Sequence, residues 1–350
     1  MVASIRLKEV ESQIEPLRRK FIYKSAFPDV DHAWVLKTPM EIRDQTAKSL
    51  VSAFKSNKTL LQRGYIKHYD IGFKRKSDSQ CISILKKMYR GQGIICPSLG
   101  LGRLRSRESL PEKLDHDAKL LYEHNKYWLL MPQKVMQIDV PPLMKRIVSI
   151  DPGVRTFATC YSPHDKNGPA MYEWGKRDIS RLYRHALQVD RLQSRLGQPQ
   201  MRAKQRRAIK RAMQKKRTKI KSLTTDLHRH FALWLCINYD LVCLPKFDVS
   251  KMVMRAGRKL RNNSVRKMLC WSHFRFRQYL LHKAREHGTV IYLCEERYSS
   301  KTCSECQIQH HLLGSNKVFT CASGDCDYVS DRDFNAARNI YMKAMVDLTM

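Results

Sequence analysis

The sequence predicts a mixed α/β fold: a sheet with helices on its faces, an inserted pair of basic helices, a cysteine-built metal knuckle, and a smaller mixed α+β region ahead of them. Three observations carry this. The apolar segment Arg146–Ile150 runs into Asp151-Pro152-Gly153 and is followed by two more strand-like segments. Later in the chain, apolar strands alternate with helical patterns, the signature of a sheet covered by helices. Cys303-x2-Cys306 and Cys321-x4-Cys326 then stand 14 residues apart.

Residues 1–145 read as one region. Thr38-Pro39 marks a helix start, with Ile42, Leu50, Val51 and Phe54 at roughly helical spacing. Tyr69–Lys76 and Cys81–Leu85 read as strands, and the glycine-rich stretch Gly91–Gly102 as a loop. Pro141-Pro142 breaks the pattern and marks a domain boundary. Residues 146–300 form the main domain. Arg146–Ile150, Val154–Tyr161 and Ala170–Trp174 are its first strands, joined by tight turns in hairpin logic. Asp240–Leu244 is a further strand, Ser264–His287 a helix stopped by Gly288, and Thr289–Cys294 another strand. The knuckle occupies 301–328, and a last helical segment 329–350.

Between these strands lies the basic helical pair, at 176–231. Residues 176–221 hold 17 Lys and Arg against two acids, Asp178 and Asp190. Ile179, Leu182, Ala186, Val189 and Leu192 step by three or four, so one face is apolar and the other cationic. Gly197–Pro199 interrupts the pattern, and a second helix runs from Met201 to about Phe231. Lacing by salt bridges needs acids, which are nearly missing here. The side chains placed to meet phosphates are Arg202, Lys204, Arg206, Arg207, Lys210, Arg211, Lys215, Lys216 and Arg217.

The whole chain repeats that imbalance: 350 residues, 66 Lys and Arg, 32 Asp and Glu, a formal net charge of +34. A polyanion is the partner that rewards such charge, because each phosphate met by a cation releases a condensed counterion. Nucleic acid is that partner. The basic residues form no single amphipathic strip, which argues against a membrane surface. The longest apolar run, near His230–Leu244, contains Asn238 and Asp240 and is too polar to span a bilayer. The N-terminal MVASIRLKEVESQIEP has no apolar signal core, which places the protein inside the cell, and in the nucleus where the host is eukaryotic.

In that setting the eleven cysteines are reduced thiols or metal ligands. Cys303, Cys306, Cys321 and Cys326 have the spacing of two knuckles closing on one structural Zn2+, with His310 or His311 as a possible replacement for one of them. The other seven, Cys81, Cys96, Cys160, Cys236, Cys243, Cys270 and Cys294, read as small core residues.

Three acidic positions fall at predicted strand or helix ends. Asp151 closes a strand just before Pro-Gly, a place that suits either a divalent ion or a plain turn. Asp333, in DRDFNAARNI, sits in the first turn of a helix whose Ala336 and Ala337 permit close packing on a sheet; its ordinary role there is a helix cap. Glu295-Glu296 follow the strand Thr289–Cys294. Together such acids are suited to two Mg2+ ions, which activate a water and stabilise the leaving oxygen of a phosphodiester.

SIDPGVRTFATCYSP at 149–163 resembles the first RuvC motif of the TnpB family of transposon-encoded proteins. FRFRQYLLHKAREHGTVIYLCEERYSSKTCSEC at 274–306 is similar to that family's helix, strand and start of the zinc ribbon, and DRDFNAARNIY at 331–341 to its third RuvC motif. TPMEIRDQTAKSLVSAFKSN and IGFKRKSDSQ resemble its recognition and wedge regions. The resemblance covers roughly 40–350. It implies an RNase H-like (RuvC) nuclease domain and an RNA-guided DNA endonuclease, with an element-encoded guide RNA, a double-stranded DNA target, Mg2+, and no small-molecule cofactor. Asp151 and Asp333 match two of the catalytic positions. Most TnpB proteins carry a glutamate where this chain has Pro245. The related Fanzor proteins place it before the ribbon, in a stretch like E-x-Y-T-S-K-T-C, which aligns with Glu296–Cys303 and points to Glu296 rather than Glu295. Asp248 is a weaker substitute. The family usually has more recognition helix than fits before Thr38, which implies a shortened N-terminal region.

Two other functions compete. One is a relative that binds RNA or DNA without cutting; the other is a strand-joining transposase, for which no Tyr or Ser nucleophile stands in a persuasive setting.

Overall fold

The computed structural model describes residues 35–72, 74–75, 78–95, 102–123, 126–134, 138–139, 144–165, 168–254, 260–310, 314 and 316–349. The chain divides into two units, 1–134 and 135–350. The predicted boundary at Pro141-Pro142 lies outside the described residues.

In the first unit, helix α1 (Met40–Gln62) starts after Pro39, whose fixed φ suits a helix start. Strands β1 (Gln80–Ile84), β2 (Ala118–Glu123) and β3 (Lys126–Leu130) form an antiparallel sheet in that order. Ile84, Met88, Ile95, Leu114 and Ala118 make its small core. Two expectations fail here. The described residues of Tyr69–Lys76 form no strand. The segment runs instead into a turn closed by Asp78, whose carboxylate accepts the Arg75 N–H at 2.8 Å. Strands β2 and β3 went unpredicted, because LLYE and YWLL sit beside charges and no glycine turn marks them.

The second unit is built on five strands: β4 (Ile147–Pro152), β5 (Ala158–Asp165), β6 (Gly168–Trp174), β7 (Leu241–Pro245) and β8 (Val290–Cys294). Their order is β6-β5-β4-β7-β8. β4, β7 and β8 run parallel, and β5 and β6 fold back as antiparallel hairpins. Side chains alternate between faces along each strand. Val148, Ile150, Val242 and Leu244 face a core shared with α2 (Asp178–Leu196), α3 (Ala203–Asn238) and α6 (His273–His287). Leu241, Cys243 and Cys294 face Ile340 and Ala344 of α7 (Arg332–Thr349).

The predicted helix Ser264–His287 is two helices. α5 (Asn262–Trp271) and α6 are parted at Ser272, held in left-handed backbone at φ 53°. The break lets two side chains reach the loop after β4: Trp271 donates its indole N–H to the Val154 carbonyl at 3.0 Å, and His273 Nε2 lies 3.2 Å from the Gly153 carbonyl oxygen. Gly153 itself is required by close approach, since a Cβ there would meet the Thr156 carbonyl oxygen at 2.6 Å. A short helix, α4 (Val249–Val253), follows β7, and α3 runs about two turns beyond the predicted end. Strands β9 (Val318–Thr320) and β10 (Val329–Asp331) pair antiparallel on either side of Cys321 and Cys326, and β10 leads into α7. Of the cysteines expected in the core, Cys81 is exposed and Cys96 lies outside the described residues; Cys160, Cys236, Cys243, Cys270 and Cys294 are buried.

Candidate functional site: an acidic sheet end beside a four-cysteine cluster

Asp151 is the penultimate residue of β4. Its register partner on β5 is Thr159, and the partner of Thr159 on β6 is Glu173, so the three residues cross the sheet in one row. On the other side, Ser149 pairs with Cys243, which puts Pro245 level with Asp151; Pro245 in turn pairs with Cys294. Glu296 therefore lies two residues beyond this row, on the far side of Pro245.

Asp333 comes from above the sheet. α7 is fastened there by Ser149, whose hydroxyl donates to the Ala337 carbonyl at 2.7 Å across the close approach that Ala336 and Ala337 allow. Asp333 is not the helix cap. Asp331 takes that role, its carboxylate accepting the Asp333 N–H at 2.9 Å, which leaves the Asp333 carboxylate available.

The acids interact. Asp151 keeps part of its surface open to solvent yet lies deep in the fold. Burial, then the charge of Asp333, then that of Glu296, hold its carboxyl well above the usual range, against a smaller opposing effect of Arg332. Asp333 is also raised, by burial and by Asp331, with Arg332 and Arg155 opposing and Glu173 adding. Burial raises Glu296. Three carboxylates that each disfavour ionisation are short of positive charge. A divalent cation is one source of it, and hard oxygen ligands suit Mg2+.

The alternative acids point elsewhere. Glu295 is exposed and within charge range of Lys343. Asp248 is exposed and accepts from the Ser250 hydroxyl at 2.5 Å, with Lys251 Nζ at 3.4 Å.

Sequence reasoning missed several parts of this end of the sheet. Glu173 and Arg155 read as ordinary surface charges. Asn335 and Asn339 are buried on α7. Asn339 donates to the Ser299 and Thr302 carbonyls at 2.9 and 2.6 Å; Asn335 donates to Thr302 O at 2.8 Å and accepts the Ser304 N–H at 3.0 Å. The available signal was two amides four residues apart on a helix face of small and apolar residues. They tie the helix of Asp333 to the segment between Glu296 and the first cysteine pair.

Among the described residues, Cys303, Cys306, Cys321 and Cys326 are the one group of three or more possible ligands whose atoms all lie within 4.8 Å of one another. Cys303 and Cys326 sulfurs are 3.9 Å apart, and Cys306 and Cys321 sulfurs 3.6 Å. Tetrahedral zinc with bonds of about 2.3 Å sets its sulfurs about 3.8 Å apart, so the cluster fits that ion. All four are free thiols rather than disulfides. His310 replaces none of them; its Nε2 lies 3.4 Å from Cys321 Sγ, beside the cluster. His311 lies outside the described residues.

In the helical pair, Val189, Ile209 and Met213 pack between α2 and α3. Arg202, Lys204, Arg206, Arg207, Lys210, Arg211, Lys215 and Arg217 are exposed and Lys216 half-buried, and none makes an ion pair among the described residues.

Comparison with known proteins follows the same regions. The family described as "Cas12f1-like, TNB domain" matches residues 273–340, from α6 through the cysteines to α7. "Putative transposase A625R" of Paramecium bursaria Chlorella virus 1 is 31% identical over 319 residues, covering 89% of this chain and 70% of that protein. "TnpB-like protein L79" of Acanthamoeba polyphaga mimivirus is 27% identical over 303 residues, covering 85% of this chain but 56% of that protein, so the chain spans little more than half of that relative. A solved structure described as a Cas12f1–sgRNA–target DNA complex shares the fold, with a TM-score of 0.53 at 15% identity, covering 94% of this chain and 79% of that one. By sequence relatives across most of its length, this chain is a member of the TnpB family.

Proposed function

We propose that the chain is an RNA-guided DNA endonuclease encoded by a mobile element, cutting with a RuvC-type, RNase H-like centre. One observation carries this reading: the carboxyl of Asp151, half-buried at the end of the central strand, is raised by burial and then by the charges of Asp333 and Glu296, which come from other parts of the chain. Acids are gathered at one sheet end at an electrostatic cost, in a chain of net charge +34. Asp151, Glu296 and Asp333 would hold the ions, and the position of Glu296 supports the Fanzor-type arrangement. Held by these acids, Mg2+ would supply an activated water and stabilisation of the leaving oxygen.

The residues of the chain do the rest. The Trp271 and His273 contacts fix the backbone after Asp151, so its carboxylate keeps its aim. Asn335 and Asn339 fix Asp333 relative to the segment after Glu296. Arg155 and Arg332 moderate the acidic charge. The four cysteines would hold one structural Zn2+, which stiffens that same segment. The basic face of α3 would bind phosphates of the guide RNA or of its heteroduplex with the target DNA, with base pairing reading the sequence. Such a protein acts inside the cell, in the nucleus of a eukaryotic host.

The test is to sequence the RNA that copurifies with the protein, then supply a DNA duplex matching it, with Mg2+. Cleavage of that duplex and not of a scrambled one is the expected result. Pro245, at the position where the TnpB resemblance implies a glutamate, favours a second reading: guided binding without cutting. Tight, matched binding with no cleavage would select it.

A further inference from the structure

Away from the acidic end, a cavity of about 530 Å3 opens between α2, α3, α5 and α6. Five cations line it: Arg217, Lys221 and Arg229 from α3, Arg266 from α5 and Arg275 from α6. They face a single lining acid, Asp190, which is paired with Arg266. Arg217, Arg229 and Arg275 make no ion pair among the described residues. The Nε of Arg266 is buried without a hydrogen-bond partner. Like charges turned toward one cavity repel, so an arrangement of this kind is stabilised by an anion inside it.

Beyond its charge the cavity has an apolar side: Val189, Ile220, Leu269 and the ring of Tyr279. Leu269 is half exposed, at 51%. Its volume falls in the range of about 300–1,000 Å3 typical of pockets for single small molecules, too small to enclose a duplex. Cations and an apolar, aromatic surface lining one cavity suit a nucleotide whose base has left the stack. A free nucleotide would bring its phosphates at one end only. A strand brings them on both sides of the base, which suits cations supplied by three different helices. Arg217 belongs both to this cavity and to the exposed basic face of α3, so a strand tracking that face reaches the cavity without a gap in cations.

We propose that this cavity holds an unpaired nucleotide of a bound nucleic-acid strand, its flanking phosphates on Arg217, Arg229 and Arg275 and its base against Tyr279 and Leu269. The proposal rests on the nucleic-acid reading above, and not on cleavage.

The test uses the full chain with its zinc in place and no added Mg2+, where no cutting occurs. Short single-stranded RNA and DNA probes carrying one 2-aminopurine are compared with a blunt duplex of the same sequence. The double variant Arg229→Glu/Arg275→Glu should bind a single strand about 10-fold or more weakly and flatten its salt dependence by about two units, with duplex binding changed less than about 2-fold. The milder Arg229→Lys/Arg275→Lys should retain most of the affinity, which separates charge loss from misfolding. Tyr279→Leu should abolish the 2-aminopurine signal while the strand still binds. The probe type that loses more, RNA or DNA, identifies the strand. The proposal is overturned if single-strand binding is unchanged in the Glu variant, if the duplex weakens equally, or if ATP displaces the single strand fully. Because no Mg2+ is present, such a failure leaves the cleavage reading standing, and that reading is decided separately by the acids.

Discussion

The segment 294–333 carries two opposite kinds of metal chemistry, with four cysteines in its middle and the acids Glu296 and Asp333 at its ends. The four cysteines are drawn together within 4.8 Å, at spacings a tetrahedral ion would impose. The three acids are close enough to raise Asp151, yet they are not gathered in the same way. The difference follows from the ions they suit. Zinc in a closed four-thiolate site is complete without solvent. Magnesium keeps several waters and binds through a few carboxylates plus substrate oxygens. A closed cluster is a structural staple; an open, charge-strained one is a place for chemistry.

The largest effects should come from the open site. Asp333→Ala and Glu296→Ala should each lower Mg2+-dependent cleavage of a guide-matched duplex by more than about 100-fold, since even residues that only orient metal ligands are worth about 10–100-fold. Binding of the duplex should change little. Glu295→Ala and Asp248→Ala should cut normally. If Asp248→Ala is dead and Glu296→Ala active, the assignment of the relocated glutamate is wrong.

The closed site should respond in structure. Purified protein should carry about one Zn2+ per chain. Cys303→Ser or Cys326→Ser should lose it, and the segment 303–328 should become sensitive to protease. Zinc-free protein that stays resistant there would contradict the knuckle.

A smaller effect belongs to the basic pair. Neutralising Arg206, Arg207, Lys210 and Arg211 together should weaken RNA binding without altering sequence preference, and lower the salt slope by roughly one unit per lost contact. An unchanged slope would make this a merely solvated face.

The smallest effect is on stability, and it concerns the opposite face of the sheet. His228 is buried against Phe157 and Phe276, with Nε2 2.9 Å from the Trp271 carbonyl oxygen. Burial lowers its pKa to about 4 from 6.5. The unfolded chain takes up this proton as pH falls below 6.5, and the folded chain does not until about 4. Stability from this group is thus full above 6.5 and declines between those values by about 1.4 kcal/mol per pH unit. His273, buried beside it and lowered to about 3, adds to the same trend. Urea unfolding at a series of pH values should therefore show stability falling below pH 6.5, and His228→Phe should lower that slope by the His228 share.

Much of this was legible in the sequence because the local signals were unambiguous. The cysteine spacing implied one cluster. The apolar strand before Asp151 and the small residues of DRDFNAARNI implied a strand end and a helix packed on a sheet, but not whether the acids there were ligands, turn formers or caps. What stayed hidden depended on tertiary context. The break at Ser272 interrupts an unbroken helical pattern, and only its reach to Gly153 and Val154 explains it. Glu173 is an ordinary charge until register places it in the row of Asp151. Asn335 and Asn339 acquire meaning only once the carbonyls of Ser299 and Thr302 are opposite them. Tyr69–Lys76 misled because alternation in a short, charged segment is weak evidence for a strand.

The account stands most directly on Asp151. The decisive measurement is single-turnover cleavage of a guide-matched DNA duplex in Mg2+ by the unaltered protein and by Asp151→Asn, with duplex binding measured beside it. The account predicts that the unaltered protein cuts, and that the variant binds as well but does not cut. An Asp151→Asn protein that cuts at the unaltered rate, or an unaltered protein that binds its matched duplex and leaves it whole, would contradict it.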